Sequence, residues 1–157
     1  GGGGGEGGAV KQQRLKEPAP LLLATQVEDL TVVRDILADR SQDVNEADSD
    51  GQTSLHMAAA RCRVDLIEAL LAAKADPNRA DNEETTPLHI AAFMGNARAV
   101  SRLLVAGARA DLRDDTGCTP LAAAQQVLGS QALLEEIGSA SQSEYQAVID
   151  LLESCSS

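Results

Sequence analysis

The chain has 157 residues, enough for one domain of ordinary size, and 43% of them are apolar, enough to form a core and exclude wholesale disorder. Its 13 Lys and Arg against 24 Asp and Glu leave a net charge of −11, which argues against a nucleic-acid-binding surface built to neutralise phosphates. With one Phe, one Tyr and no Trp, the core must pack Leu, Ile, Val and Ala, which favours close-packed helices over a β-sandwich; no apolar run approaches the roughly 20 residues of a membrane-spanning helix. Cys62, Cys118 and Cys155 are odd in number and lack CxxC spacing, so they read as reduced thiols rather than a disulfide framework or a zinc site. That places the chain inside the cell, in cytoplasm or nucleus.

Seven of the first eight residues are Gly, and Lys11, Arg14 and Lys16 follow. Such a stretch has little to bury and a high backbone entropy, so residues 1–17 read as a disordered, Gly-rich and basic tail. Residues 1–16 hold three bases and one acid, so the rest of the chain carries −13. The absence of an initiator Met suggests a fragment or a processed form. The tail reads as a linker, or as the remnant of an organelle transit segment, since it lacks the apolar centre of a secretory signal.

Beyond the tail the chain repeats itself. Thr53-Ser54-Leu55-His56-Met57-Ala58-Ala59 returns 33 residues later as Thr86-Pro87-Leu88-His89-Ile90-Ala91-Ala92, and again after 33 as Thr119-Pro120-Leu121-Ala122-Ala123-Ala124. Leu70-Leu71 and Leu103-Leu104 keep the same step, as do Asp48, Asp81 and Asp114. Each period predicts the same elements. Thr caps a short Ala-rich helix, with Pro or Ser at its first position. A break, at Gly95 in the second full period, precedes a second helix whose apolar residues have helical spacing: Val64, Leu66, Ile67, Leu70 and Leu71, then Val100, Leu103 and Leu104. Gly107 reads as a left-handed cap, and a polar stretch with a turn at Gly51 or Gly117 leads onward.

A divergent unit precedes these. Pro20-Leu21-Leu22-Leu23-Ala24 aligns with Ser54 to Ala58, and Asp43-Val44-Asn45 with Asp76-Pro77-Asn78 after one added loop residue. The units run roughly 18–47, 48–80, 81–113 and 114–157. The last carries about 15 extra residues, near 129–143, around the helical run Leu133-Leu134-Ile137. Ser141-x-x-Glu144 reads as a capping box opening a final helix that buries Val148, Ile149, Leu151 and Leu152. The irregular unit reads as a modified end cap or as a partner-specific excursion.

The strings TPLHIAA (86–92), Gly95-Asn96, LLVAGA (103–108) and Gly117-x-Thr119-Pro120-Leu121 resemble those of ankyrin repeats. The resemblance covers residues 18–157 in about four repeats. It implies an all-α solenoid of stacked helix-turn-helix units with β-turn fingers. It also implies that His56 and His89 hydrogen-bond within the turn network rather than bind metal. Three departures stand out: Lys74 and Glu84 at positions where the family usually has Gly, and Cys62 at another.

No catalytic site, cofactor or metal is expected: Asp114-Asp115 and Glu83-Glu84 fall on turn tips, where solvent keeps carboxylates ionised. The resemblance implies instead a non-catalytic protein-interaction module, an adaptor or regulatory subunit that is monomeric in isolation. A targeting factor or holdase shielding apolar client segments is the alternative. Residue by residue, the family's binding surface maps to the turn tips Ser49, Asp50, Gln52, Asn82, Glu83, Thr85, Asp115, Thr116 and Cys118. From the first helices it takes Gln26, Val27, Ala60, Arg61, Phe93, Met94, Gln126 and Val127. Phe93 and Met94 form a candidate apolar anchor. Asp48, Asp50, Asp81, Glu83, Glu84, Asp114 and Asp115 form an acidic rim around it, or a solvated face that keeps the protein soluble. Together they point to a partner segment that is basic with an apolar centre.

Overall fold

The computed structural model describes residues 20–137 and 142–155, with the side chain of Ile137 excepted. The basic tail and Ser141 of the expected capping box lie outside the described residues. Nine helices and no strand appear among them: α1 Pro20–Gln26, α2 Leu30–Ala38, α3 Ser54–Ala60, α4 Val64–Ala72, α5 Pro87–Phe93, α6 Ala97–Val105, α7 Pro120–Leu128, α8 Gln131–Ile137 and α9 Gln142–Cys155.

Short polar side chains start the helices where the period predicts. Thr53, Thr86 and Thr119 are extended and accept the amides of His56, His89 and Ala122. Asp29 and Asn96 do the same for α2 and α6 through the amides of Val32 and Ala99. Between paired helices one residue takes the left-handed conformation: Glu28 (φ 58°), Cys62 (φ 56°) and Gly95 (φ 69°). Lys74 (φ 70°) and Gly107 (φ 98°) share it just beyond α4 and α6. Only Gly adopts it without strain, so the non-glycine residues each hold about 1 kcal/mol of it.

The helices form two layers. The first helices α1, α3, α5 and α7 pack in that order, and α2, α4, α6 and α9 pack behind them. One continuous core lies between, in which Leu55, Ala58, Leu66, Ile67, Leu70, Leu88, Ala91, Val100 and Leu103 are fully buried. Ala in the first helices lets the units approach closely.

The last unit departs from the others. α8 packs on α7, with Leu133 and Leu134 half-buried against the core, and α9 then takes the second-helix place against α7 and α6. Tyr145, Val148, Ile149 and Leu152 form its buried stripe; Leu151 is only half-buried. The expected aromatic-free core is corrected here. Tyr145 is the largest fully buried side chain, and its hydroxyl donates to the Phe93 carbonyl at 2.6 Å. That bond satisfies its one polar atom, so the ring can fill the core's end.

Candidate partner-binding surface

Three fingers stand ahead of α3, α5 and α7, and one carboxylate organises each. Asp48 Oδ1 accepts the amides of Asp50 and Gln52, both at 2.9 Å. Asp81 Oδ1 accepts those of Glu83 and Thr85 at 2.8 and 2.9 Å. Asp114 Oδ1 accepts those of Thr116 and Cys118 at 2.9 Å each. The turn within each finger needs a left-handed residue, supplied by Gly51 (φ 80°), Glu84 (φ 60°) and Gly117 (φ 86°).

The fingers are tied to one another. The Asn82 amide donates to the Asp50 carbonyl and the Asp115 amide to the Glu83 carbonyl, both at 3.0 Å. The Asn82 side chain also donates to the Ser49 carbonyl at 2.9 Å.

The two histidines lock the second and third fingers to the helix that precedes each. His56 Nδ1 accepts the Thr53 amide at 3.1 Å, so its proton sits on Nε2, which donates to the Thr85 carbonyl at 2.8 Å. His89 repeats the arrangement with the Thr86 amide at 3.2 Å and the Cys118 carbonyl at 2.9 Å. Burial holds the His56 pKa below its ordinary value, which favours the neutral ring that this bonding requires. Position 122 in the last unit carries Ala, and no further finger follows it among the described residues.

A second set of ties joins the connecting loops. Asn45 Oδ1 accepts the Asp76 amide, and Asn78 Oδ1 accepts the Arg109 amide, both at 2.7 Å. Fingers, helices and connectors thus recur with the same bonds from unit to unit. The sequence model for ankyrin repeats in many copies matches residues 28–71 and 55–104. The chain is an ankyrin repeat protein. Among curated proteins no significant match is found. Ankyrin repeats in general are protein–protein interaction modules and are typically non-catalytic. Among the described residues no helix is long and apolar enough to cross a membrane.

Within this ankyrin stack the sequence-derived surface residues divide into two groups. Asp50, Gln52, Asn82, Glu83, Thr85, Asp115 and Thr116 lie on the fingers. Asn82 is spent largely on joining its finger to the preceding one, and the Thr85 carbonyl on His56. The other group lies at the far ends of the first helices. Gln26, Ala60, Phe93 and Gln126 hold equivalent last-turn positions and all are exposed, Phe93 to 41%. Gln126 reaches back to its finger, donating to Cys118 Sγ at 3.4 Å.

The next position along runs Val27, Arg61, Met94 and Val127. Val27 and Arg61 are exposed, Met94 is half-buried and Val127 is fully buried. Val127 is therefore removed from the surface. α1, α3 and α5 end before this position, whereas α7 continues to Leu128 and turns Val127 into the core. Arg61 is committed as well: with Arg63 it grips Glu28, at 3.0 and 2.9 Å, and the two guanidiniums hold that carboxyl below the usual range.

The acidic rim is smaller than the sequence suggests. Asp48, Asp81 and Asp114 are half-buried and bind amides of their own fingers. For Asp114, burial opposes ionisation, but bonds from the Thr116 hydroxyl and the Cys118 and Thr116 amides prevail and keep its pKa low. Asp50, Glu83, Glu84 and Asp115 remain exposed, with no ion pair among the described residues. They stand at the N-terminal side of the first helices and Phe93 at the C-terminal side, separated by about one seven-residue helix, or roughly 10 Å. The acids thus line one edge of the surface instead of encircling the anchor.

Proposed function

We propose that residues 18–157 form a four-repeat adaptor or regulatory module that grips a partner polypeptide along the fingers and the exposed row Gln26, Ala60, Phe93 and Gln126. The observation that carries this is Phe93. It is the chain's one Phe, and it stands 41% exposed at the end of a helix whose other face is buried. Its backbone is held by Tyr145, so little entropy is lost when a partner covers it. Along the opposite edge of the surface, the acids of three successive fingers favour a partner segment that is basic and partly apolar, and their charge governs association rate more than final affinity. The three thiols, all free, suit a reducing cell interior.

Affinity capture with the parent chain and with Phe93→Ala tests the assignment. The variant should bind its captured partner about tenfold more weakly, or about 1.4 kcal/mol, with unchanged helical content. Equal binding by both refutes the anchor. A second reading, a holdase for apolar segments, is favoured by Leu23 and Val27, exposed to 50% and 66% on and just beyond α1. A holdase binds many unrelated apolar peptides, whereas an adaptor selects one folded partner.

A further inference from the structure

The seam between α2 and α4 lies in the layer of second helices, the other layer from Phe93. It opens into a cavity of about 900 Å³. Its apolar lining comes from Leu37, Val44, Ala69, Ala72 and Ala73, and its cations are Arg34, Arg40 and Lys74.

Two features set this seam apart from the next one, between α4 and α6. The first is bulk. α4 and α6 are both nine residues long, and α6 carries Arg102 and Val105 where α4 carries Ala69 and Ala72. Arg102 also spans its seam in an ion pair with Glu68 at 2.8 Å. The α2/α4 seam has neither the bulk nor the bridge.

The second is charge. The seam's two acids are already neutralised: Asp65 by Arg63 at 2.8 Å, and Glu68 by Arg102. Arg34, Arg40 and Lys74 are exposed and have no ion pair among the described residues. Arg40 sits in the connector that is one residue longer than its counterpart after α4. A chain of net charge −11 therefore gathers three unneutralised cations around one apolar trough.

We propose that this seam is a second docking site and takes an acidic peptide segment of a partner protein, with small apolar side chains seated against Ala69 and Ala72 and carboxylates against Arg34, Arg40 and Lys74. Charge complementarity selects this occupant, because among the described residues no acid pairs with these cations. Distant acids oppose it only over the screening length, about 8 Å at physiological salt, whereas the three cations act at contact.

The test uses the full chain and a labelled peptide of Glu and Asp interspersed with Ala and Leu, followed by fluorescence polarisation at about 0.15 M salt. The parent should bind it. Arg34→Glu/Lys74→Glu should lose about tenfold or more in affinity. Arg79→Glu/Arg98→Glu, which makes the same change in net charge at exposed sites outside the seam, should lose far less. Ala72→Leu, which fills the trough without altering charge, should also weaken binding, and Phe93→Ala should leave it intact. No binding by the parent overturns the proposal, as does equal loss in the two charge reversals or loss in Phe93→Ala. Dimerisation of the parent that Arg34→Glu/Lys74→Glu abolishes names a second copy as the occupant and overturns the acidic peptide. Capture by anionic vesicles but not by the peptide overturns it equally.

Discussion

Replacing Ser54 with Pro should stabilise the protein. Ser54 opens α3 at the place where Pro87 opens α5 and Pro120 opens α7. It is fully buried, and its hydroxyl is the one buried side-chain polar atom without a hydrogen-bond partner among the described residues. The backbone already suits Pro. The preceding Thr53 has ψ 172°, against 164° and 165° for Thr86 and Thr119, and a residue before Pro must be extended in this way. The Ser54 amide is one of the helix's unpaired first-turn donors, so no bond is lost. Restricting the unfolded chain contributes about 0.4–1 kcal/mol. Removing an unsatisfied buried hydroxyl contributes about 1 kcal/mol, the low end for such groups because a hydroxyl can rotate. The total is about 1.5–2 kcal/mol, or about 3–8 °C in Tm for a chain of this size. Urea denaturation followed by circular dichroism measures it: the midpoint should rise at constant slope. Ser54→Ala should recover only the hydroxyl part. A Ser54→Pro protein no more stable than the parent refutes the reasoning, because the repeat equivalence would then fail to carry energetic meaning.

Further perturbations test the turns and bonds described above. Gly117→Ala meets no atom within 4 Å and should cost about 1 kcal/mol of left-handed strain. Gly51→Ala adds a Cβ 2.7 Å from Asn82 Oδ1 and 2.9 Å from its amide nitrogen, so it should cost at least about 1 kcal/mol more in thermal or urea unfolding. Since the folded His56 pKa lies below the ordinary 6.5, the unfolded chain takes up its proton first. Stability should be complete above that value and fall as pH drops below it. Unfolding midpoints at descending pH should show this loss in the parent, and less of it in His56→Gln. Asp114 and Glu28, held below their usual values, keep their contributions to still lower pH. Tyr145→Phe should cost about 1–2 kcal/mol by orphaning the Phe93 carbonyl, again read by urea unfolding. Because burial raises the Tyr145 pKa, the parent's one Tyr should ionise above 10 in an absorbance titration.

Much of the repeat was legible in the residues alone because its devices are local. Thr119 caps the helix that begins one residue later, and Gly107 ends the turn that contains it; such bonds span three or four positions and survive translation by 33. The histidine network was legible only through resemblance, since His56 bonds across 29 residues to a carbonyl whose identity no spacing reveals. Two readings failed for one reason. Val127 and the three finger aspartates were assigned by register, and register does not say which way a side chain turns. Two additional residues in α7 rotated Val127 inward, and the amides of each finger drew its aspartate away from solvent.

Period, capping and the order of short helices followed from the sequence by itself, because neighbours along the chain determine them. Tertiary packing alone decided that Tyr145 closes the core against Phe93, and that one seam stays open, its cations without an ion pair among the described residues, while the next is bridged by Arg102 and Glu68. Those outcomes depend on which residues of successive units come to face one another, and that pairing exists only once the units have stacked.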